Sequence, residues 1–136
     1  MAHERALDFL RTNPRGVLAT YRRDGQAQLS PVLAGVDEQD RVVISTREGA
    51  MKTLNLRRNP RAGLCVLSER FFGEWHALEG DAEVLSLPDA LEPLVDYYRR
   101  VSGEHPDWQD YRDAMARERR VLLRITVDRS GPTTQG

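Results

Sequence analysis

The order of the predicted elements limits the fold of this chain more than any single motif. Strand-like segments follow one another through most of the chain, and two helices then precede a last strand. The predicted strands span residues 16–21, 26–36, 41–46, 62–68, 75–87 and 121–127, and the predicted helices span residues 3–12, 50–58, 89–101 and 107–119. Doubly wound α/β folds require strands and helices to alternate, so this order favours a small closed antiparallel β-barrel with peripheral helices.

Turn residues support this reading of the strands. Asp24-Gly25 separates the first two strands and is a strong hairpin pattern. Pro31 cannot donate a hydrogen bond to a neighbouring strand, so it predicts a sheet edge or a bulge. Gly80 lies inside the fifth strand and predicts a bulge or sharp bend.

The late helices carry predicted caps, and the chain end carries a predicted tail. Asp89 and Glu92, three residues apart, resemble a capping box. Asp107 is an acidic cap for the next helix. Residues 1–129 are predicted to form a single domain, and the polar segment 130–136 is predicted to be disordered.

Composition excludes several classes of function. The 136 residues suit one domain, and 20 basic against 21 acidic residues argue against non-specific nucleic-acid binding. Cys65 is the only cysteine and lies in an apolar run, which predicts a buried thiol and no intrachain disulfide. We find no signal-peptide pattern and no apolar run approaching the roughly 20 residues of a membrane span, so we expect a cytoplasmic protein without a membrane partner.

Lys52 is the only lysine among 20 basic residues and opens a short basic helix. Ser45 and Thr46 stand at the end of the strand before it, and Asn55 and Arg58 follow on the helix. Hydroxyls, helix N–H groups and cationic side chains together favour an anion site, most simply for a cofactor phosphate. The alternative is a solvated basic helix at one end of the barrel.

No catalytic side chains can be assigned from the sequence. The three histidines lack metal-ligand spacing, so a metal is not expected, and no nucleophile elbow, phosphate-binding loop or dinucleotide fingerprint occurs. His76 is interpreted as structural, with either it or Trp75 facing inward, and His105 as a turn residue. The helical aromatic residues predict a core or a subunit interface. Trp75 follows the loop 71–74, which could cover a pocket or contact a partner subunit.

Several segments together resemble a known family. They are Gly16-Val17-Leu18-Ala19-Thr20, residues 24–32, residues 52–61, and the late segments 98–108 and 119–123. Over about residues 6–127, these are similar to the pyridoxamine-phosphate-oxidase-like split-barrel proteins. The most similar branch is the actinobacterial one that uses coenzyme F420, a deazaflavin.

The resemblance implies a six-stranded split barrel of the FMN-binding type, a homodimer, and a cofactor groove at the dimer interface. It implies hydride transfer from reduced F420 to a small conjugated organic substrate, with the chemistry supplied by the coenzyme. By position in the family pattern, Ser45, Thr46 and Lys52 would bind the phosphate. Gln28, Ser30 and Asn55 would lie near the ring or its side chain, and Trp75 would come from the neighbouring subunit.

The resemblance is incomplete at two places. Ala50 replaces a polar or basic phosphate contact that relatives often carry, and nothing after Val127 matches their aromatic-glycine ending. Two alternatives therefore stay open. The same fold could bind FMN as an oxidase or flavin reductase, or it could bind F420 without catalysis as a carrier or sensor.

Overall fold

Six β-strands and four α-helices make up residues 3–132, the part of the chain that the computed structural model describes. The strands are β1 (Arg15–Tyr21), β2 (Ala27–Val36), β3 (Val42–Arg47), β4 (Arg61–Leu67), β5 (Trp75–Leu85) and β6 (Arg120–Gly131). The helices are α1 (Glu4–Thr12), α2 (Met51–Arg58), α3 (Leu91–Ser102) and α4 (Trp108–Arg117).

The strands close into a barrel in the order β1-β2-β3-β6-β5-β4, and every neighbouring pair is antiparallel. Closure is completed by β1 and β4, where Val17 lies opposite Cys65. Alternate residues point inward, as on β4, where Ala62, Leu64 and Val66 are buried. The predicted fold class, a six-stranded antiparallel barrel with peripheral helices, is confirmed.

The predicted turn and bulge are also confirmed. Gly25 adopts a φ of 85° in the β1–β2 hairpin, and its N–H donates to the Arg22 carbonyl over 2.9 Å. The β5–β6 register shifts between Glu79 and Gly80. A Cβ atom at Gly80 would lie 1.9 Å from the Thr126 carbonyl oxygen, so only glycine fits this bulge.

One predicted helix cap is confirmed and the other is wrong. The Asp107 carboxylate accepts hydrogen bonds from the N–H groups of Gln109 and Asp110, the first turn of α4. Helix α3 instead begins after Ala90 without a side-chain cap. A turn carries the chain through Asp89, so the helix starts two residues later than predicted, and Glu92 pairs with Arg112 on α4 at 2.5 Å.

Cys65 is only half-buried, which corrects the prediction of a buried thiol. It lies on the outward side of β4, and partial burial raises the pKa of its thiol. Strand β6 extends to Gly131, two residues into the segment predicted to be a disordered tail. Residues 133–136 of that tail lie outside the described residues.

A second core covers one side of the barrel. Helices α3 and α4 pack side chains such as Leu94, Tyr97, Tyr111 and Met115 against Leu122 on the outer surface of β6. The helical aromatic residues therefore belong to a core, one of the two roles predicted for them. No helix among residues 3–132 is both long and apolar enough to cross a bilayer.

The barrel is split between two strands. Strand β2 pairs with β1 from Ala27 to Leu33, but with β3 only from Ala34 to Val36. Tyr97 of α3 reaches the opening, where its hydroxyl donates to the Leu33 carbonyl over 2.8 Å. Pro31 lies in the stretch of β2 that pairs only with β1, so the predicted sheet edge is confirmed.

Candidate functional site

A groove of about 570 Å³ lies where β2 and β3 diverge. Its floor comes from the strands, its cationic end from α2 and the start of β6, and its far wall from α3 and α4. The lining side chains include Val32, Leu33, Ser45, Thr46, Lys52, Arg120, Tyr97, Tyr98, His105, Tyr111 and Met115. The groove thus joins hydroxyls and two cations to an aromatic wall.

Lys52 and Arg120 make the cationic end of this groove. Burial lowers the pKa of the Lys52 ammonium, and the positive charge of Arg120 lowers it further. Within residues 3–132, the ammonium of Lys52 has no ion pair and no hydrogen bond. The Arg120 guanidinium contacts Glu118 through Nε at 3.0 Å and Nη2 at 2.9 Å. An anion in the groove would relieve the repulsion between these two cations.

The start of α2, from which Lys52 reaches the groove, has no side-chain cap. Ala50 is the N-cap residue and offers no side-chain acceptor to the first turn. Thr53 is buried, and its hydroxyl donates to the Arg47 carbonyl over 2.6 Å, which fixes the turn before the helix. The residue that departs from the family pattern, Ala50, therefore leaves the N–H groups of α2 without a side-chain cap of their own.

Ser30 carries the only buried side-chain polar atom without a hydrogen-bond partner in the part of the chain that the structure describes. It lies on β2 opposite Leu18 of β1, just before the residues that line the groove. Buried hydroxyls are nearly always paired, and an unpaired one costs about 1–3 kcal/mol. Ser30 is not itself one of the groove-lining residues, so no contact of its hydroxyl with a ligand follows from this structure.

Three other predicted site residues form a separate polar network beneath α2. Asn55 is 1% exposed and donates through Nδ2 to the Thr20 hydroxyl over 3.1 Å. That hydroxyl donates to Gln28 Oε1 over 3.2 Å, and Arg58 Nη2 donates to Asn55 Oδ1 over 3.0 Å. Gln28, Asn55 and Arg58 are therefore satisfied by protein partners, away from the groove lining. Their assignment to a cofactor stays a prediction.

Trp75 lies on the outer surface of β5, opposite Leu67 of β4 and away from the groove of its own chain. His76, its neighbour, is the one that faces inward, with a ring nitrogen 2.8 Å from Glu74 and its ring against Phe9. Within one chain, the structure therefore brings together Lys52, Ser45 and Thr46 but not Trp75.

Sequence reasoning missed two parts of the groove. Arg120 is one of many arginines, and only its position at the start of β6, opposite Arg47 of β3, brings it to the cationic end. His105 was interpreted as a turn residue. Its Nδ1 accepts a hydrogen bond from the Asp107 N–H, and its ring packs 5.1 Å from Tyr98 in the groove wall. The aromatic residues on both sides of the 103–107 loop were the sequence pattern that could have placed His105 in an aromatic cluster.

The pyridoxamine 5'-phosphate oxidase family pattern matches residues 2–132. The chain belongs to this family. Among curated relatives, it is 30% identical over 125 residues to the F420H(2)-dependent biliverdin reductase of Mycobacterium tuberculosis. That match spans 91% of this chain and 82% of the relative.

Solved structures of the pyridoxamine 5'-phosphate oxidase fold agree with the barrel. The conserved hypothetical protein Rv2991 from Mycobacterium tuberculosis superposes with a TM-score of 0.76 and 27% identity, over 96% of this chain and 82% of that one. A structure described as an F420 reductase gives a TM-score of 0.70 at 18% identity, over 91% of this chain and 94% of that one. The second similarity shows the shared fold.

The residues present fit a phosphorylated coenzyme of this family. The ammonium of Lys52, which has no partner within residues 3–132, and the neighbouring Ser45 and Thr46 are groups of the kind that bind a phosphate. The Ser30 hydroxyl has no partner within residues 3–132, but it is buried and lies outside the groove lining, so its assignment to the ring or its side chain stays a prediction. Within residues 3–132, no group of three histidine, cysteine, aspartate or glutamate side chains is arranged to hold a metal ion.

Proposed function

We propose that this protein is an F420-dependent oxidoreductase that transfers hydride to a small conjugated organic substrate. One observation carries the proposal: the half-buried, unpaired Lys52 shares a groove with Arg120 in a chain related to an F420H(2)-dependent reductase. Arg120 is paired with Glu118, whereas Lys52 has no carboxylate partner within residues 3–132, which favours a ligand with an anionic tail. F420 carries a phosphate in its side chain.

In this proposal, the protein binds and orients while the coenzyme reacts. Lys52 and Arg120 hold the phosphate, with the Ser45 and Thr46 hydroxyls as further donors. When bound, the reduced deazaflavin supplies the hydride. Tyr98, His105 and Tyr111 provide an aromatic, partly apolar wall, which suits a conjugated molecule better than a flexible polar one.

We also infer that the protein works as a homodimer with the groove at the subunit interface. The outer surface of the barrel carries an apolar face made of Val17, Leu29, Pro31, Leu33, Cys65, Ala77 and Trp75. These residues adjoin one another across β2, β1, β4 and β5. Leu29 is 64% exposed and Leu33 45% exposed, which is costly for a monomer in water.

This apolar face is continuous with the groove. Pro31 and Leu33 belong to both, so a second copy seated on the face would close the open side of the groove. Trp75 of the partner subunit lies on that same face, which is consistent with its predicted place beside the cofactor. A dimer would therefore complete a site that one chain leaves open.

The proposal is tested by titrating the purified protein with F420 and following coenzyme fluorescence. Replacing Lys52 with alanine removes a charged hydrogen-bond donor, so we expect affinity to fall by about 1.5–3 kcal/mol. Arg117→Ala is the matched control, because Arg117 is exposed near the end of α4 and lies outside the groove lining. Equal affinities of Lys52→Ala and wild type would remove Lys52 from the site.

The same preparation distinguishes the alternatives. Tight binding of FMN with no binding of F420 would show that the cofactor of this groove is a flavin and not a deazaflavin. Binding of F420 without oxidation of its reduced form by a panel of enones, quinones and tetrapyrroles would indicate a carrier. Consumption of reduced F420 with any of these acceptors, lost in Lys52→Ala at limiting coenzyme, is the expected result.

A further inference from the structure

Lys52 has the features of a nucleophilic amine as well as those of an anion ligand. Its ammonium is half-buried, faces the groove and has no carboxylate partner within residues 3–132. Burial and the neighbouring Arg120 charge both lower its pKa from the ordinary value of 10.5. A larger fraction of the amine is therefore neutral near neutral pH than for an exposed lysine, and neutral lysine attacks carbonyl carbon.

The surroundings of Lys52 favour one class of carbonyl compound. Arg120 stands beside it in the groove, with the hydroxyls of Ser45 and Thr46 on the adjoining strand end. Glu118, a carboxylate that also lines the groove, is engaged by Arg120 at 2.9 Å and by Arg47 at 3.7 Å. A small ligand with its phosphate on Arg120 and its carbonyl group at Lys52 would join two residues that line the same groove and interact electrostatically.

We propose that Lys52 captures small phosphorylated aldehydes as a reversible imine, with Arg120 holding the phosphate. The neutral amine forms a C–N bond to the aldehyde carbon, giving a carbinolamine. The carbonyl oxygen then leaves as water with two protons, one of them from the amine and one from solvent, and a protonated imine remains. No electrons are gained or lost, and addition of water reverses the reaction.

Imine formation would make this groove a site of competition. A phosphorylated aldehyde on Lys52 occupies the same cationic corner that the proposed coenzyme phosphate requires, so the two ligands exclude each other. This inference does not rest on the identity of the coenzyme, because it uses only Lys52, Arg120 and the groove that both residues line.

The experiment uses glycolaldehyde phosphate as the probe and sodium cyanoborohydride to reduce any imine to a stable secondary amine. Intact-mass measurement counts the adducts, and peptide mapping separates Lys52 from the α-amino group of the chain. We expect one phosphorylated adduct on Lys52, formed at least about tenfold faster than the adduct of unphosphorylated glycolaldehyde, because a charge-assisted phosphate contact exceeds about 1.4 kcal/mol. Lys52→Arg keeps the positive charge and should give no adduct at position 52.

Two arginine variants distinguish phosphate-directed imine formation at Lys52 from non-specific modification of an accessible amine. Arg120→Gln removes the phosphate partner and the charge that lowers the Lys52 pKa, so trapping should slow at neutral pH and its pH profile should move upward. Arg117→Gln alters an exposed arginine outside the groove lining and should behave as wild type. Circular dichroism of each variant confirms that the fold is retained.

The inference is overturned if folded wild-type protein gives no adduct at Lys52. It is equally overturned if the phosphate gives no rate advantage, or if Arg120→Gln reacts as wild type. Adding F420 then separates the two claims. If F420 protects Lys52 from trapping, both the imine and the coenzyme site are supported. If the adduct forms equally with F420 present, the imine is supported and the coenzyme site is not. If F420 binds but no adduct forms, only the proposed function is supported.

Discussion

At the level of single residues, two barrel hydroxyls are placed in opposite situations. The Thr20 hydroxyl accepts from Asn55 and donates to Gln28, whereas the buried Ser30 hydroxyl has no partner within residues 3–132. Removing a paired group leaves its partners unsatisfied, while removing an unpaired one does not. The contrast indicates that the Thr20 hydroxyl stabilises the fold and that the Ser30 hydroxyl does not, whereas a ligand contact of Ser30 stays a prediction.

We therefore expect opposite effects of two hydroxyl deletions on stability. Thr20→Val should lower the free energy of unfolding by about 1–3 kcal/mol, because it removes the hydrogen-bond partner of the buried Asn55 Nδ2 and of the half-buried Gln28 Oε1. Ser30→Ala should leave stability unchanged or raise it by up to about 1 kcal/mol, while weakening coenzyme binding. Urea unfolding monitored by tryptophan fluorescence measures both. An equal loss of stability in the two variants would show that Ser30 is paired in solution.

Sequence reasoning at this scale found residues that stand out chemically and missed those that do not. Lys52 could be predicted because it is the only lysine and follows a strand end with two hydroxyls. Arg120 could not, since it is one of many arginines and follows another, Arg119, and only the pairing of β3 with β6 brings it beside Lys52. The satisfied network of Gln28, Asn55 and Arg58 likewise depends on tertiary packing that no local pattern reveals.

At the level of the elements, the two late helices show when an aspartate in the sequence predicts an N-cap and when it does not. Both are preceded by an aspartate, but only Asp107 has the extended backbone that lets its carboxylate reach the first-turn N–H groups. Asp89 lies in a turn that continues to Ala90, so its side chain does not cap α3. The existence of both helices could be predicted from periodicity, whereas the start of α3 depended on this turn.

Replacing Asp107 or Asp89 with alanine tests which of the two side chains caps a helix. Asp107→Ala removes two hydrogen bonds to the start of α4 and should destabilise the protein by about 1 kcal/mol, within the usual range of about 0.5–2 kcal/mol. Asp89→Ala removes an exposed side chain with no capping role and should change stability by less than about 0.5 kcal/mol. Thermal unfolding gives both values. A larger loss for Asp89→Ala than for Asp107→Ala would restore the capping box.

At the level of the whole molecule, the order of elements was enough to predict a closed antiparallel barrel, because an alternating α/β arrangement was excluded. The position of the split was not predictable from local pattern. It depends on β2 pairing with β3 only from Ala34 onward and on Tyr97 reaching the opening from a helix more than 50 residues away in the chain. The groove is thus a product of tertiary structure, although several residues around it could be named beforehand.

The apolar outer face of the barrel predicts a homodimer, and this prediction can be tested directly. A two-fold dimer would bury Leu29 of both subunits, so Leu29→Glu places two carboxylates in the interface. Because an unpaired buried charge costs several kcal/mol, we expect the dimer to weaken by at least about 100-fold. Sedimentation equilibrium measures the change, with Ala116→Glu on the exposed side of α4 as the control of equal charge.

F420 affinity should fall together with dimerisation, since the second copy closes the groove and carries Trp75 on the same face. A Leu29→Glu protein that remained dimeric and bound F420 normally would place the interface elsewhere on the barrel and would leave the groove to one chain alone.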